Sequence, residues 1–169
     1  MKPPVGAQQI AALLDRHAAA LELYAAQWTP TADDCVQEAF IELARQPVAP
    51  KCVVAWLYRV VRNRALNAVR AAQRRNRHER LAARLAAQPT AKPMDDGETA
   101  ELAAALEALP MELREVVVLR TWSELTWQQI GRLTETSSST AQRRYVEALK
   151  QLRKQWESTC SENLRCRPT

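Results

Sequence analysis

The sequence predicts an all-α protein made of two small helical domains joined by a flexible linker, the second a helix-turn-helix domain. Three observations predict it. Good helix formers such as alanine, leucine, arginine and glutamate dominate the 169 residues, against three glycines and 5% aromatics. Apolar residues recur at helical spacing along both halves. Between the halves, QPTAKPMDDG over residues 88–97 carries two prolines and a glycine with few large apolar groups, the composition of a linker. The expected boundaries are 1–86 for the first domain, 87–97 for the linker, 98–157 for the second domain and 158–169 for a disordered tail.

The elements follow in order. Residues 8–28 form a helix with Ile10, Leu13, Leu14, Leu21 and Tyr24 on its apolar side, ended by Thr29-Pro30. Thr31 or Asp33 caps a second helix, in which Val36, Ala39, Phe40 and Leu43 follow the i, i+3, i+4, i+7 rule. Its other face, Asp33, Asp34, Gln37, Glu38 and Glu42, is acidic and amide-bearing. Spacing alone makes that face solvated surface, favoured near a helix start by the macrodipole. After the proline-bearing loop at 46–51 comes a long helix over residues 52–86. Val53, Val54, Leu57, Val60, Val61, Ala65, Ala68 and Val69 supply its buried side.

Arginine fills most of the rest of that helix: Arg59, Arg62, Arg64, Arg70, Arg74, Arg75 and Arg77, with Asn63 and Asn67 one turn apart among them. From residue 45 to residue 84 eleven Lys or Arg meet a single acid, Glu79. A merely soluble surface would mix in carboxylates. Arginine this dense can grip phosphates bidentately, and asparagine amides suit base edges. From residue 95 to residue 115 the balance reverses to seven acids against Arg114. The net charge of +5 implies an anionic partner, and its uneven spread gives different surfaces different partners.

In the second half, residues 98–109 form a short helix burying Leu102, Leu106 and Leu109. Pro110 then opens another, running to about Thr121 with Leu113, Val116, Val117 and Leu119 inside. Residues 125–152, LTWQQIGRLTETSSSTAQRRYVEALKQL, read as two helices and a tight turn. Thr126 and Gln129 form a capping box, with Leu125 and Ile130 as a hydrophobic staple across the cap. The second helix starts in the run Ser137 to Thr140 and carries Ala141, Tyr145, Ala148, Leu149 and Leu152 as one apolar stripe. Gln142, Arg143 and Arg144 stand on its other side, as a recognition helix requires. Gly131 permits close approach between the two helices, whereas Glu135 occupies a turn that glycine or asparagine would fit more easily. Local spacing also leaves open an antiparallel hairpin with a solvated basic face.

The four cysteines, Cys35, Cys52, Cys160 and Cys166, lack metal-ligand spacing, and the two histidines do not complete one. Cys35 and Cys52 read as small buried residues. No signal peptide and no membrane-spanning run is found, so the expectation is a cytoplasmic protein without membrane insertion. No glycine-rich phosphate loop, nucleophile–base pair or metal cluster supports catalysis. The chain is expected to be no enzyme and to need no cofactor.

The ordered set of motifs resembles the RNA polymerase sigma factors of the extracytoplasmic-function type within the sigma-70 family. It rests on DDCVQEAFIELARQ (33–46), AWLYRVVRNRALNAVR (55–70), LEALPMELREVVVLR (106–120) and LTWQQIGRLTETSSSTAQRRYVEALKQLRK (125–154). The resemblance covers residues 15–156. It implies that Asp34, Gln37 and Glu38 contact the β′ clamp of core RNA polymerase, with the β flap as a second contact. It implies that Arg59, Arg62, Asn63, Asn67 and Arg70 bind the minus-ten element, where the family captures a flipped, unpaired base. It implies that Ser138, Ser139, Thr140, Gln142, Arg143 and Arg144 enter the groove of the minus-35 element. Promoter DNA and core polymerase are the implied partners, and an anti-sigma factor is a further one the family allows. This sequence departs from the common pattern at Asn67, where many members carry aspartate, and at Glu135 and Ser139, where glycine is common.

The function so implied is promoter-specific initiation by a non-catalytic factor. The alternative is an autonomous helix-turn-helix transcriptional regulator. The isolated protein would then bind a specific site tightly, whereas a sigma factor binds DNA weakly until polymerase is present.

Overall fold

The computed structural model describes residues 4–82 and 104–165, with side chains over 4–74 and 104–157. Every regular element among the described residues is a helix, and the chain divides into two compact units, Met1–Ala91 and Lys92–Thr169. No helix among the described residues is long and apolar enough to cross a membrane.

The first unit contains α1 (Ala7–Ala26), α2 (Ala32–Ala44) and α3 (Val53–Ala82), each packed on the other two. Leu21, Tyr24 and Ala25 of α1, Val36, Ala39, Phe40 and Leu43 of α2, and Leu57, Tyr58, Val61 and Ala65 of α3 are buried. Each large side chain taken from water here contributes about 1.5–3 kcal/mol. Tyr24 lies edge-on to Trp28 at 4.8 Å and to Tyr58 at 5.2 Å, so an aromatic knot joins the end of α1 to α3. The tyrosine of the WLYR motif is thus a core residue that spacing alone had not placed inside.

Three expectations change here. Leu14 is 43% exposed, off the packed side of α1, while its neighbours Ile10 and Leu13 are half-buried. Thr31 takes the N-cap position of α2 without capping it. Its hydroxyl pairs with that of Thr29 at 3.0 Å, and its own amide donates to the Thr29 hydroxyl at 3.3 Å. A serine/threonine turn therefore replaces the side-chain cap. Cys35 is buried as expected, but Cys52 is exposed, since it precedes the first turn of α3 rather than lying on its inner face.

The second unit contains α4 (described over 104–107), α5 (Met111–Trp122), α6 (Trp127–Leu133) and α7 (Ser138–Arg165). Leu109, Val117 and Ala148 form a core against which Leu106, Leu113, Tyr145 and Leu152 pack. Leu102, also expected inside, lies outside the described residues. Arg114 bends back to donate to the carbonyls of Glu107 and Leu109, the latter at 3.1 Å. It thereby satisfies acceptors that the end of a helix leaves free.

Leu149 is 45% exposed, outside the stripe expected for α7. At 100° per residue Ala141, Tyr145, Ala148 and Leu152 fall within an arc of roughly 60°, and Leu149 stands about 40° beyond its edge. The backbone of α7 also runs to Arg165, whereas disorder was expected after Glu157. Residues 158–165, STCSENLR, contain no proline or glycine to stop the helix, and Pro168 lies beyond its end.

Candidate nucleic-acid interfaces

The turn between α6 and α7 is specified residue by residue. Thr126 and Gln129 close the capping box: the Gln129 amide donates to the Thr126 hydroxyl at 3.3 Å and the Thr126 amide to the Gln129 side chain at 2.8 Å. Leu125 and Ile130 are both buried on either side of it. At the far end α6 stops at Thr134, Glu135 takes φ 58°, and the Thr136 amide returns to the Gly131 carbonyl at 2.7 Å. This is a Schellman closure, which needs a left-handed residue at the position Glu135 holds.

Gly131 is buried, and a Cβ there would stand 3.0 Å from backbone atoms of Thr136, Ser137 and Ser138. Those atoms belong to the turn and the first residue of α7, so the glycine sets how closely α7 approaches α6. Ser137 caps the start of α7: its hydroxyl accepts the Thr140 amide at 3.1 Å and pairs with the hydroxyls of Ser139 at 2.9 Å and Thr140 at 2.8 Å.

Two residues that spacing did not single out, Arg120 and Trp127, hold the motif together. The Arg120 guanidinium lies 4.7 Å over the Trp127 ring and donates to the Leu125 carbonyl at 3.2 Å. Trp127 in turn meets Tyr145 edge-on at 5.5 Å. One cation–aromatic–aromatic stack so joins α5, α6 and α7. The arginine closing the 106–120 motif was its available signal.

The outer face of α7 carries Ser139, Gln142 and Arg143 exposed, with Ser138, Thr140 and Arg144 half-buried. Arg143 also reaches the Thr140 hydroxyl at 3.4 Å. Ser139, Arg143, Val146 and Lys150 fall within an arc of roughly 60°. They line a shallow groove beside Leu113. Val146, 51% exposed, belongs to this face and was missed because it is apolar. Arg144 stands about 100° round from Arg143, toward the core side.

The second surface lies on α3. Arg59, Asn63, Asn67, Arg70 and Arg74 are exposed at i, i+4, i+8, i+11 and i+15, one continuous row, with Arg62 half-buried beside it. Arg70 reaches the Asn67 side-chain oxygen at 3.5 Å. The side chains of Arg75 and Arg77 lie outside the described residues.

Arg64 does not join this row. It stands about 140° round the helix from Arg59, on the side toward α2. There its guanidinium bonds Glu38 with one nitrogen and Glu42, at 2.7 Å, with the other. Of the predicted contacts on α2, Asp34, Gln37 and Glu38 are all exposed, and Glu38 is held by this pair. Beneath them, burial pushes the Cys35 thiol pKa up, with the Glu38 carboxylate adding to the shift and Arg64 opposing it.

Two family models match the chain, one in each unit. Residues 13–75 match the family described as Sigma-70 region 2, and residues 99–152 match that described as Sigma-70, region 4. Among curated proteins none matches. Among solved structures, CnrH in complex with the cytosolic domain of CnrY is similar with a TM-score of 0.61 at 22% identity, over 90% of each chain. The sigma factor RpoE in complex with the anti-sigma factor NepR, from Bartonella quintana, is similar with a TM-score of 0.63 at 19% identity, over 87% of this chain and 95% of that one.

Proposed function

This chain belongs to the sigma-70 family, and from that premise we propose how its two helix faces read a promoter. It is a sigma factor of the extracytoplasmic-function type, which binds core RNA polymerase and directs promoter-specific transcription initiation. In our reading α7 enters the major groove of the minus-35 element. Arg143 and Gln142 meet base edges there, and Arg144 with the Ser138–Thr140 start of the helix meets the backbone. The row Arg59, Asn63, Asn67 and Arg70 on α3, with Arg62, holds the opened strand of the minus-ten element. Guanidinium groups grip phosphates, and Asn63 with Asn67 reads unpaired bases.

The observation that carries this reading is that exposed, acid-free row on α3. Four turns of arginine and asparagine along one edge fit a strand of phosphates and bases, and an ordinary solvated face would interleave carboxylates. The exposed Asp34, Gln37 and Glu38 of α2 offer the opposite chemistry, suited to a cationic surface of the polymerase clamp. Opening then draws on binding energy rather than on hydrolysis, so the factor acts without a catalytic group or cofactor of its own. It works where polymerase works, in the cytoplasm. An anti-sigma factor would regulate it by occupying the same faces; the similar RpoE was solved with such a partner.

Run-off transcription with purified core polymerase tests the reading. Addition of the protein should yield transcripts from a subset of templates in a promoter library, and the isolated protein should bind those templates weakly. Tight specific binding without polymerase, and no new transcript with it, would favour an autonomous regulator.

A further inference from the structure

We propose that Arg64 is a positioning residue that restrains polymerase docking, by holding the Glu38 carboxylate against α3 in the free protein. This rests on reading α2 as the docking face.

Four carboxylates stand on α2: Asp33, Asp34, Glu38 and Glu42. One guanidinium serves two of them. The Arg64 nitrogens reach Glu38 and Glu42 separately, with Glu42 at 2.7 Å, so a single side chain bridges two successive turns of the neighbouring helix. The Arg64 side chain is 32% exposed while that of Glu38 is 58% exposed. Arg64 therefore reaches Glu38 from the interior side and leaves its outer side accessible.

Two consequences follow for a cationic partner. The partner's charge must compete with Arg64 for the Glu38 carboxylate, and it must approach a fixed positive charge. Both lower affinity. Arg64 thereby sets the strength of an acidic face, two of whose four carboxylates it engages. Glu42 works in the opposite sense, because it shares the guanidinium and draws it away from Glu38.

The test is the affinity of the full chain for purified core polymerase, titrated at low and at high salt. Arg64→Gln should bind about two- to fivefold more tightly at low salt, the range set by partly exposed ion pairs, with the gain fading as salt rises. Glu42→Gln should weaken binding by a similar factor in the parent protein and by less in the Arg64→Gln background. Unchanged or weaker binding by Arg64→Gln, with its unfolding temperature preserved, would overturn the proposal.

Should Arg64→Gln unfold, Glu42→Gln decides by itself: unaltered affinity would likewise overturn the restraint. A shift in minus-ten base preference with core affinity unchanged would return Arg64 to the DNA face, again against the proposal. Failure of the parent protein to bind core polymerase would instead remove the docking reading on which it stands.

Discussion

The Thr136 amide and the Gly131 carbonyl meet at 2.7 Å, closing the end of α6 across Glu135 at φ 58°. That bond accounts for the residue that fitted the turn poorly in the sequence. A left-handed conformation costs a residue with a Cβ roughly 1–2 kcal/mol, and glycine avoids that cost but loses more entropy on folding, about 0.5–1 kcal/mol. Glu135→Gly should therefore raise the stability of the protein by up to about 1 kcal/mol, read as a higher midpoint in thermal or urea denaturation. A lower midpoint would mean that the glutamate side chain contributes more than the strain removes.

Gly131→Ala should act in the opposite direction. The added methyl would meet three backbone atoms at 3.0 Å, none of them on a side chain that can swing away. Overpacking of this kind costs about 1–3 kcal/mol and shifts the backbone. The variant should lose stability and, if α7 reads DNA as proposed, also weaken minus-35 binding, because the displaced atoms lead into α7. Stability loss with unchanged DNA affinity in the folded fraction would show that the angle of α7 does not depend on this contact.

How much of this was legible beforehand depended on which force fixed each feature. Thr126 and Gln129 were readable because a capping box is local, and Val36, Ala39, Phe40 and Leu43 because burial repeats with the helix. The burial of Tyr58, the Arg120–Trp127 stack and the Arg114 bonds to preceding carbonyls arise between elements, where spacing within one helix says nothing. Arg64 illustrates the difference. Counted along the chain it was one more member of a basic run, and only its angle around α3 and the nearness of α2 separate it from Arg59 and Arg70. The roles assigned to Asn63 and to the clamp contacts came from family resemblance, since neither composition nor period distinguishes a base-reading amide from a solvated one.

Arg143 and Arg144 should behave differently, although adjacent. Both border the groove, but Arg143 is exposed, whereas Arg144 is half-buried and stands about 100° round α7 toward the core side. Arg143→Ala should cost about 1–3 kcal/mol and relax preference at one position of the minus-35 element. Arg144→Ala should weaken all sites alike and lower the salt slope by about one unit. Affinity measured for a set of single-base promoter variants at several salt concentrations separates the two. Unaltered preference in both variants would remove α7 from the role of reader.

Cys35 gives the first unit a distinctive response to alkali. Burial first, and Glu38 second, raise its pKa, so the folded protein keeps the thiol protonated where the unfolded chain would release the proton. A raised folded pKa contributes stability that is complete below the unfolded value and declines as pH rises through and above it. The stability of the parent protein should therefore fall more steeply above the ordinary thiol range than that of Cys35→Ala, in paired denaturation curves from neutral to alkaline pH. Alkylation followed site by site should modify the exposed Cys52 well before the buried Cys35. Equal alkaline slopes in the two proteins would mean that the thiol titrates as it does in an unfolded chain.

In the proposed reading, Asn63 should separate strand opening from docking. It is exposed in the middle of the α3 row, one turn from both Arg59 and Asn67, while the acidic face lies on α2. Loss of its amide removes both a donor and an acceptor that an unpaired base could use, but no charge that draws the protein to polymerase. Asn63→Ala should therefore bind core polymerase as the parent does and form fewer open complexes, by a factor of about 5–150, corresponding to about 1–3 kcal/mol for a lost bidentate base contact. Permanganate reactivity of unpaired thymines reports the open state, and titration with core polymerase reports docking. A template with the minus-ten region already mismatched should restore part of the loss, since the cost of opening is then prepaid. Equal loss of docking and opening, with no recovery on the mismatched template, would show that Asn63 supports the fold of the unit rather than the strand.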